Sequence, residues 1–550
     1  MRIAFFTDTY YPDLNGVTIS VNNFAKELRQ KGHTVYIFAP KVEGKYKDKD
    51  KFLIRLPSVK ILSKVEPEIY SPTPWPNKQF RQMFSKDFDI IHAHGNGPYS
   101  LLGYSVAKIK RIPFAMTFHN MHTHYAHYIF NGKIITPKMI SLGLKTFAQR
   151  CDAVFVPSEK MKKELLSYGV KKQINVVPNF LEFERFEKPK TGYLHKLLGL
   201  SEDTPILLTV GRIGKEKNLD FILKVFKEIC KTDNRTHLVI VGKGPEKDNL
   251  FDFAKELGVS KRVHFIGVID YKFMPLVYKD AAVFVFASYT ETQGVCVLEA
   301  SAAGISSVIN DDPAFDNMVK NGKSGFTLPL NEAKFAEKLT LLLKNKQKRE
   351  EMGKEAAKIA SKNFDAGEIT QKLVGVYATI IAQKNRLKPM RSIVVRARTE
   401  EPIEEIWELI TDVKNWDKLI KFVKKISIEE PVKEGSQFRD TTAILWFPAP
   451  IKHTITEVEK YKKFKMEAFL PLNNGKMFQS IFIKNKGNER EIKIEIKFYL
   501  SFALFDLISG PILERRLKQM VVETLKKIDN EIKNINSKKG IRRTSEIITN

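Results

Sequence analysis

The feature that most constrains the fold is a repeated alternation of short apolar runs with stretches of helical spacing. "RIAFFTD", "TVYIFAP", "DIIHAH", "PFAMTFH", "AVFVPS" and "INVVPN" come first. Between "RIAFFTD" and "TVYIFAP", "VTISVNNFAKELRQKG" carries apolar residues at helical intervals and ends on Gly32. The rhythm breaks near 182–204 and restarts with "ILLTVGR", "HLVIVGKG", "VHFIGV", "AAVFVFAS" and "SSVIND". Short buried strands alternating with helices predict parallel sheets covered on both faces. Two such runs predict an α/β protein with two doubly wound, Rossmann-like domains, over 1–182 and 198–365.

From Arg391 the texture changes. "RSIVVRARTE", "FKMEAFL", "MFQSIFIKN" and "EIKIEIKFYL" alternate as half-exposed strands. "PIEEIWELITDVKNWDKLI" and a long stretch from Pro511 have helical spacing. The order fits an α+β domain over 391–535, a helix laid in a curved antiparallel sheet. The polar segment 536–550 reads as a flexible tail.

Composition narrows the surroundings. Three cysteines, Cys151, Cys230 and Cys296, lie far apart, which argues against a disulfide framework and for a reducing compartment. The first residues read as a strand rather than a signal peptide, and no apolar run approaches the ~18 residues of a spanning helix. A cytoplasmic protein is expected. The formal charge is +28, of which residues 391–550 contribute +8 from 31 Lys and Arg against 23 Asp and Glu. That excess suits a polyanion, a phosphorylated ligand or an anionic bilayer, or is simply a lysine-rich solvated surface. Nucleic acid is not expected, since neither zinc-finger spacing nor an RNA-binding strand motif is present.

Ligands of open parallel sheets bind beyond the carboxyl ends of the strands, so the residues that follow each strand are the candidates. Gly16, in "DLNGV", would let the backbone approach an anion at a helix N-terminus, or is a plain turn glycine. Arg212 and Lys217, in "GRIGKEKNL", follow the first strand of the second run and suit a diphosphate, or form a solvated basic loop. In "ASYTETQGVCVLEASAAG", Glu291 precedes a helix and Glu299 lies within it. A helix starting near Gln293 puts them on the order of 12 Å apart, beyond the ~5–9.5 Å of a glycosidase carboxylate pair. The spacing suits a long ligand with a hydroxyl-bearing ring at each carboxylate. Between them the amides of Gly294, Val295 and Cys296 face a helix start. A nucleotide-sugar has that layout.

The Gly16 loop, "GRIGKEKN", "VGKGPEKDNL", "VHFIGV" and the pair Glu291/Glu299 together resemble the retaining glycosyltransferases of family 4, which have the GT-B fold. The resemblance covers about residues 1–385. It implies that a helix over 366–388 packs back on the first domain. It also implies that Arg212 and Lys217 hold the donor diphosphate, that Glu299 takes the ribose hydroxyls, and that Glu291 with the 293–296 amides takes the sugar. Retention implies an α-linked product. No cofactor or metal is required, because fixed cations and the helix dipole supply the positive charge; the nucleotide-sugar, expected to be UDP-glucose, is a substrate.

"TFHNMHTHYAHY" holds His119, His122, His124 and His127, four of eleven histidines. His119 ends a strand, and the family resemblance gives it a catalytic place beside the donor sugar. The four step by three, two and three, do not all share a helix face and have no acid or cysteine nearby, so no metal site is expected. His122, His124, Tyr125 and His127 are expected to line the acceptor side or simply to pack. "DFD" at 87–89 precedes its strand, at the wrong end of a sheet for a donor metal. "TFHNMHTHYAHY" with "TETQGV" looks most like the diacylglycerol glucosyltransferase branch. That implies a lipid acceptor and peripheral contact with the inner face of the membrane. Trp75, Phe80, Met83 and Phe84, beside Lys78 and Arg81, form an interfacial patch or belong to the core. Residues 391–535 resemble polyketide-cyclase/START-like (SRPBCC) helix-grip proteins, whose sheet wraps an apolar cavity. A soluble or polysaccharide acceptor, or a lipid-binding protein with an inactive transferase half, are the alternatives.

Overall fold

The computed structural model describes residues 1–550 except 43–47, 49, 63–68, 74–77, 122–135, 188–191, 387–389, 421–422, 429–431, 443–448, 471–474, 500–502, 539–544 and 550. The chain divides into two compact units, residues 1–105 with 113–381 and residues 106–112 with 382–550.

The first unit contains two parallel sheets. β1 (Arg2–Thr7), β2 (Thr34–Pro40) and β3 (Leu53–Leu56) open the first, and β4 (Ser58–Leu62) with β5 (Ile69–Pro72) form a small ribbon. β6 (Ile90–His94), β7 (Phe114–Thr117), β8 (Ala153–Val156) and β9 (Ile174–Val176) complete the first sheet in the order β3-β2-β1-β6-β7-β8-β9. The second sheet has β10 (Ile206–Val210), β11 (His237–Val241), β12 (Val263–Gly267), β13 (Val283–Phe286), β14 (Ser307–Asn310) and β15 (Gly325–Leu328), in the order β12-β11-β10-β13-β14-β15. Every pairing in both is parallel. The strands are continuous apolar runs because helices cover both faces; β6, β7, β8, β13 and β14 are buried at every position. Each sheet reverses its strand order once, between β1 and β6 and between β10 and β13, and crevices open at such points beyond the carboxyl ends. The helix Ala366–Arg386 returns to the first sheet, where the Tyr377 hydroxyl meets Nδ1 of buried His92 on β6.

The second unit is an antiparallel sheet of β16 (Arg391–Thr399), β17 (Val423–Ile428), β18 (Gln437–Thr442), β19 (Ala449–Glu459), β20 (Lys463–Leu470), β21 (Gly475–Lys486), β22 (Glu489–Tyr499) and β23 (Ser545–Thr549). One face packs on Ile403–Thr411 and on the helix Ala503–Lys538 through Leu513, Leu517, Val521, Leu525 and Ile528. The segment 536–550, expected as a loose tail, carries β23, which pairs antiparallel with β16 from Thr399↔Ser545 to Val395↔Thr549. Its "SEIIT" supplies β-branched residues to an edge that would otherwise expose unpaired backbone.

The patch expected around Trp75 is corrected in part. Met83 is fully buried in the helix Lys78–Ser85, and Phe80 and Phe84 pack on each other with ring centroids 5.3 Å apart. Trp75 lies outside the described residues. No helix among the described residues is long and apolar enough to cross a membrane.

Candidate active site

The loops after β10 and β13 meet, because those strands are neighbours. After β10, the turn Lys215–Lys217 presents Lys217, whose Nζ forms an ion pair with Glu291 Oε1 from the loop after β13. Lys217 Nζ also sits 5.7 Å from the Phe286 ring centroid. Arg212 Nη1 is 4.0 Å from Glu216 Oε1, and the carbonyl of Glu216 accepts from the Tyr289 amide at 3.0 Å. Two sequence motifs 70 or more residues apart thus become one surface. The loop after β11 also approaches closely: a Cβ on Gly242, at φ +142°, would lie 1.8 Å from the Gly211 carbonyl oxygen. Burial alone would raise the Glu291 carboxyl, but the Lys217 charge and hydrogen bond outweigh it and hold its pKa below the ordinary value.

Glu299 lies four residues into the helix Val295–Ala302 and is 4% exposed. The Tyr278 hydroxyl donates to its Oε2 at 2.7 Å, while its Oε1 has no hydrogen-bond partner among the described residues. Burial pushes its pKa up to about 7, against smaller opposing effects from Tyr278, Tyr271 and Arg185. The Tyr271 hydroxyl acts on the same carboxylate, so two phenols stand beside Glu299.

The helix that carries Glu299 starts on Gly294, at φ +72°, where a Cβ would come 2.5 Å from the Phe315 ring. Its first backbone bonds run from Val297 and Leu298 to the Gly294 carbonyl, so the Val295 and Cys296 amides lie ahead of the hydrogen-bonded turn. Neither this helix nor Gly16–Gln30 has an acidic residue in its first turn. Neither N-terminus thus carries a compensating acid within its own first turn. At Gly16 itself a Cβ would meet nothing within 4 Å, so packing does not require glycine there.

His119 is buried two residues beyond β7. Its Nε2 lies 3.1 Å from His94 Nδ1, and the His94 ring stacks on His92 at 4.3 Å. His92 Nε2 lies 2.7 Å from the Thr117 hydroxyl. Burial lowers the pKa of His119 to about 4 and of His92 to about 3, and with the neighbouring imidazoles it holds His94 well below the usual value. Burial thus favours the neutral form of all three rings.

Three contacts bring the two sheets' loops together. The Thr292 hydroxyl donates to the His119 carbonyl at 2.9 Å. The Gln293 amide donates to the Asn179 carbonyl at 2.9 Å and accepts from the Asn179 amide at 2.7 Å. Lys160 Nζ reaches Asp312 Oδ1 and Oδ2 at 2.8 and 2.6 Å. His119 is thus fixed directly to the loop that carries Glu291. Gln293, Asn179, Tyr278 and the His92/His94 pair are additions to the sequence-derived set. Only "IIHAH" carried a sign of them, two histidines on one face of a buried strand. His122, His124, Tyr125 and His127, expected on the acceptor side, lie outside the described residues. Asp89 accepts from the Arg2 backbone amide at 2.7 Å and Asp87 from the Arg2 side chain at 3.2 Å, so "DFD" secures the first strand.

Residues 14–185 match the model of Glycosyltransferase Family 4, and residues 194–359 that of Glycosyl transferases group 1. An α-monoglucosyldiacylglycerol synthase of Streptococcus pneumoniae is 32% identical over 334 residues, 59% of this chain and 74% of that protein. The chain belongs to glycosyltransferase family 4. An α-monoglucosyldiacylglycerol synthase of Acholeplasma laidlawii is 28% identical over 347 residues, 60% of this chain and 86% of that protein. Among solved structures, the sucrose-phosphate synthase of Thermosynechococcus elongatus superposes with a TM-score of 0.56 at 19% identity, over 70% of this chain and 99% of that one. The fold of this family 4 glycosyltransferase is GT-B, with an antiparallel domain appended.

Proposed function

We propose that the protein transfers an α-linked glucose from UDP-glucose to the free hydroxyl of a membrane lipid such as 1,2-diacylglycerol, with retention and without a metal. The observation that carries this reading is the match over 334 residues to a synthase of monoglucosyldiacylglycerol. The local chemistry supports it. Lys217 exchanges Glu291 for the donor diphosphate, and Arg212 adds a second, planar cation. Glu291, released from Lys217, and the amides of Gly294, Val295 and Cys296 accept and donate to the sugar hydroxyls. Glu299 takes the ribose hydroxyls on its unpaired oxygen. As the bond from the anomeric carbon to the phosphate oxygen breaks, negative charge grows on the leaving UDP, where Lys217, Arg212 and the helix N-terminus stabilise it. His119 hydrogen-bonds the sugar near the reacting carbon. The acceptor hydroxyl adds on the face the diphosphate leaves, its proton passing to the departing phosphate oxygen.

The net charge of +28 supports peripheral attachment to an anionic bilayer, where the lipid acceptor resides. The antiparallel domain is read as a START-like module that serves the same lipid chemistry. The test supplies labelled UDP-glucose, UDP-galactose and GDP-mannose with diacylglycerol vesicles, free sugars or glucan. Labelled α-glucosyldiacylglycerol from UDP-glucose is the expected product. Transfer only to soluble sugars, or no transfer from any donor, overturns the reading.

A further inference from the structure

The sheet and long helix of the second unit enclose a cavity with about 920 Å³ of space between atoms, part of it open to solvent. Its walls are aliphatic side chains, methionines and Trp416, with four polar members: Asp440, His453, Gln479 and Thr524. Thr524 is satisfied within its helix by the Met520 carbonyl at 2.8 Å. Asp440 on β18 and His453 on β19 form a diagonal cross-strand pair. His453 Nε2 lies 3.0 Å from Asp440 Oδ2, with His453 3% and Asp440 5% exposed. The imidazole is held flat on the Phe438 ring, with centroids 4.5 Å apart and planes 2° off parallel. Its other nitrogen, Nδ1, is buried and has no hydrogen-bond partner among the described residues.

This arrangement selects a ligand. Nε2 carries the proton that the carboxylate of Asp440 accepts, so in the neutral ring Nδ1 presents a lone pair. Only a hydrogen-bond donor satisfies it. Among the described residues no lysine or arginine lines the cavity, so an anionic head, whether phosphate or carboxylate, would be buried against Asp440 with no described cation to receive it. What remains is an apolar body with a hydroxyl.

We propose that this cavity binds a neutral acyl lipid with one free hydroxyl, the chemistry of a diacylglycerol, with that hydroxyl donating to His453 Nδ1. The choice of diacylglycerol within that class rests on the acceptor proposed above; the hydroxyl reading rests on the cavity alone.

The test uses the full chain without any sugar donor. A diazirine-bearing 1,2-dioctanoylglycerol is photo-crosslinked and the labelled peptides are mapped, while equilibrium binding is measured for the alcohol, its 3-O-methyl ether and palmitate. Crosslinks are expected in β19–β22 or in the helix Ala503–Lys538. The ether should bind at least tenfold more weakly than the alcohol, and palmitate should not compete. His453→Phe should weaken the alcohol at least tenfold and leave the ether unchanged, and His453→Gln, which keeps an acceptor, should recover part of the loss. Absence of crosslinks in this unit, equal binding of alcohol and ether, or preference for palmitate overturns the proposal. Each of the last two arms is read on the unmutated protein, so a misfolded variant does not obscure the answer. Capture of the alcohol here without glucosyl transfer would defeat the proposed function and leave this inference standing; transfer without capture here would do the reverse.

Discussion

Lys217 and Glu291 neutralise each other in a site where both are largely buried. Removing the lysine leaves a carboxylate without its partner and, in the proposed reaction, takes one cation from the leaving group. Lys217→Ala should therefore cost ~2–4 kcal/mol of transition-state stabilisation, about 30- to 10³-fold in kcat, measured as initial rates of glycolipid formation at saturating UDP-glucose. Near-normal turnover would remove Lys217 from the diphosphate site. Glu299 gives a second expectation. Its pKa of about 7 in the fold stands above the ordinary carboxyl value of 4.5, so the folded protein binds more protons than the unfolded chain between those values. Glu299 thus makes stability fall as pH rises from 4.5 through 7, and accepting ribose hydroxyls requires the ionised form. UDP affinity should increase from pH 6 to pH 8 by titration calorimetry, and the increase should vanish in Glu299→Gln. Both glutamates stood out in the sequence by their place around a helix start. Tyr278, which fixes Glu299, did not, because "MPLVYKDA" is an ordinary amphipathic helix until the fold turns it toward Val295–Ala302.

At the scale of elements, periodicity carried the reading far. The apolar runs are the strands of two parallel sheets, and the alternating runs after Arg391 are antiparallel strands, because burial on two faces or one leaves its mark on each strand separately. β23 was not legible: "SEIIT" sits among polar residues, and its strand character depends on the edge offered by β16, about 150 positions earlier. The start of the helix Val295–Ala302 makes a sharper prediction. Gly294→Ala brings a Cβ into a left-handed conformation and against Phe315. It should destabilise the protein by ~1–3 kcal/mol and misalign the amides before the first turn. A thermal melt together with UDP affinity checks both, and an unchanged melt would show that the helix start can relax.

For the whole molecule, function depends on how the two parallel sheets share their loops. Gln293 holds both backbone groups of Asn179, so Gln293→Ala leaves a buried amide and a buried carbonyl unsatisfied, at ~1–3 kcal/mol each. The expected outcome is a lower unfolding midpoint in urea with a lower kcat, since the same loop carries Glu291 and touches His119. Loss of stability with full kcat would make Gln293 a tether without influence on the site. By itself the sequence determined the elements, the parallel and antiparallel classes, and the cations and carboxylates beside strand ends, because these follow from side-chain spacing within a few residues. Only the tertiary structure decided that Lys217 meets Glu291, that Thr292 reaches His119, and that His453, with a buried unpaired nitrogen, lines an apolar cavity. Those are contacts between residues far apart along the chain, and their geometry is set by packing that no local pattern encodes.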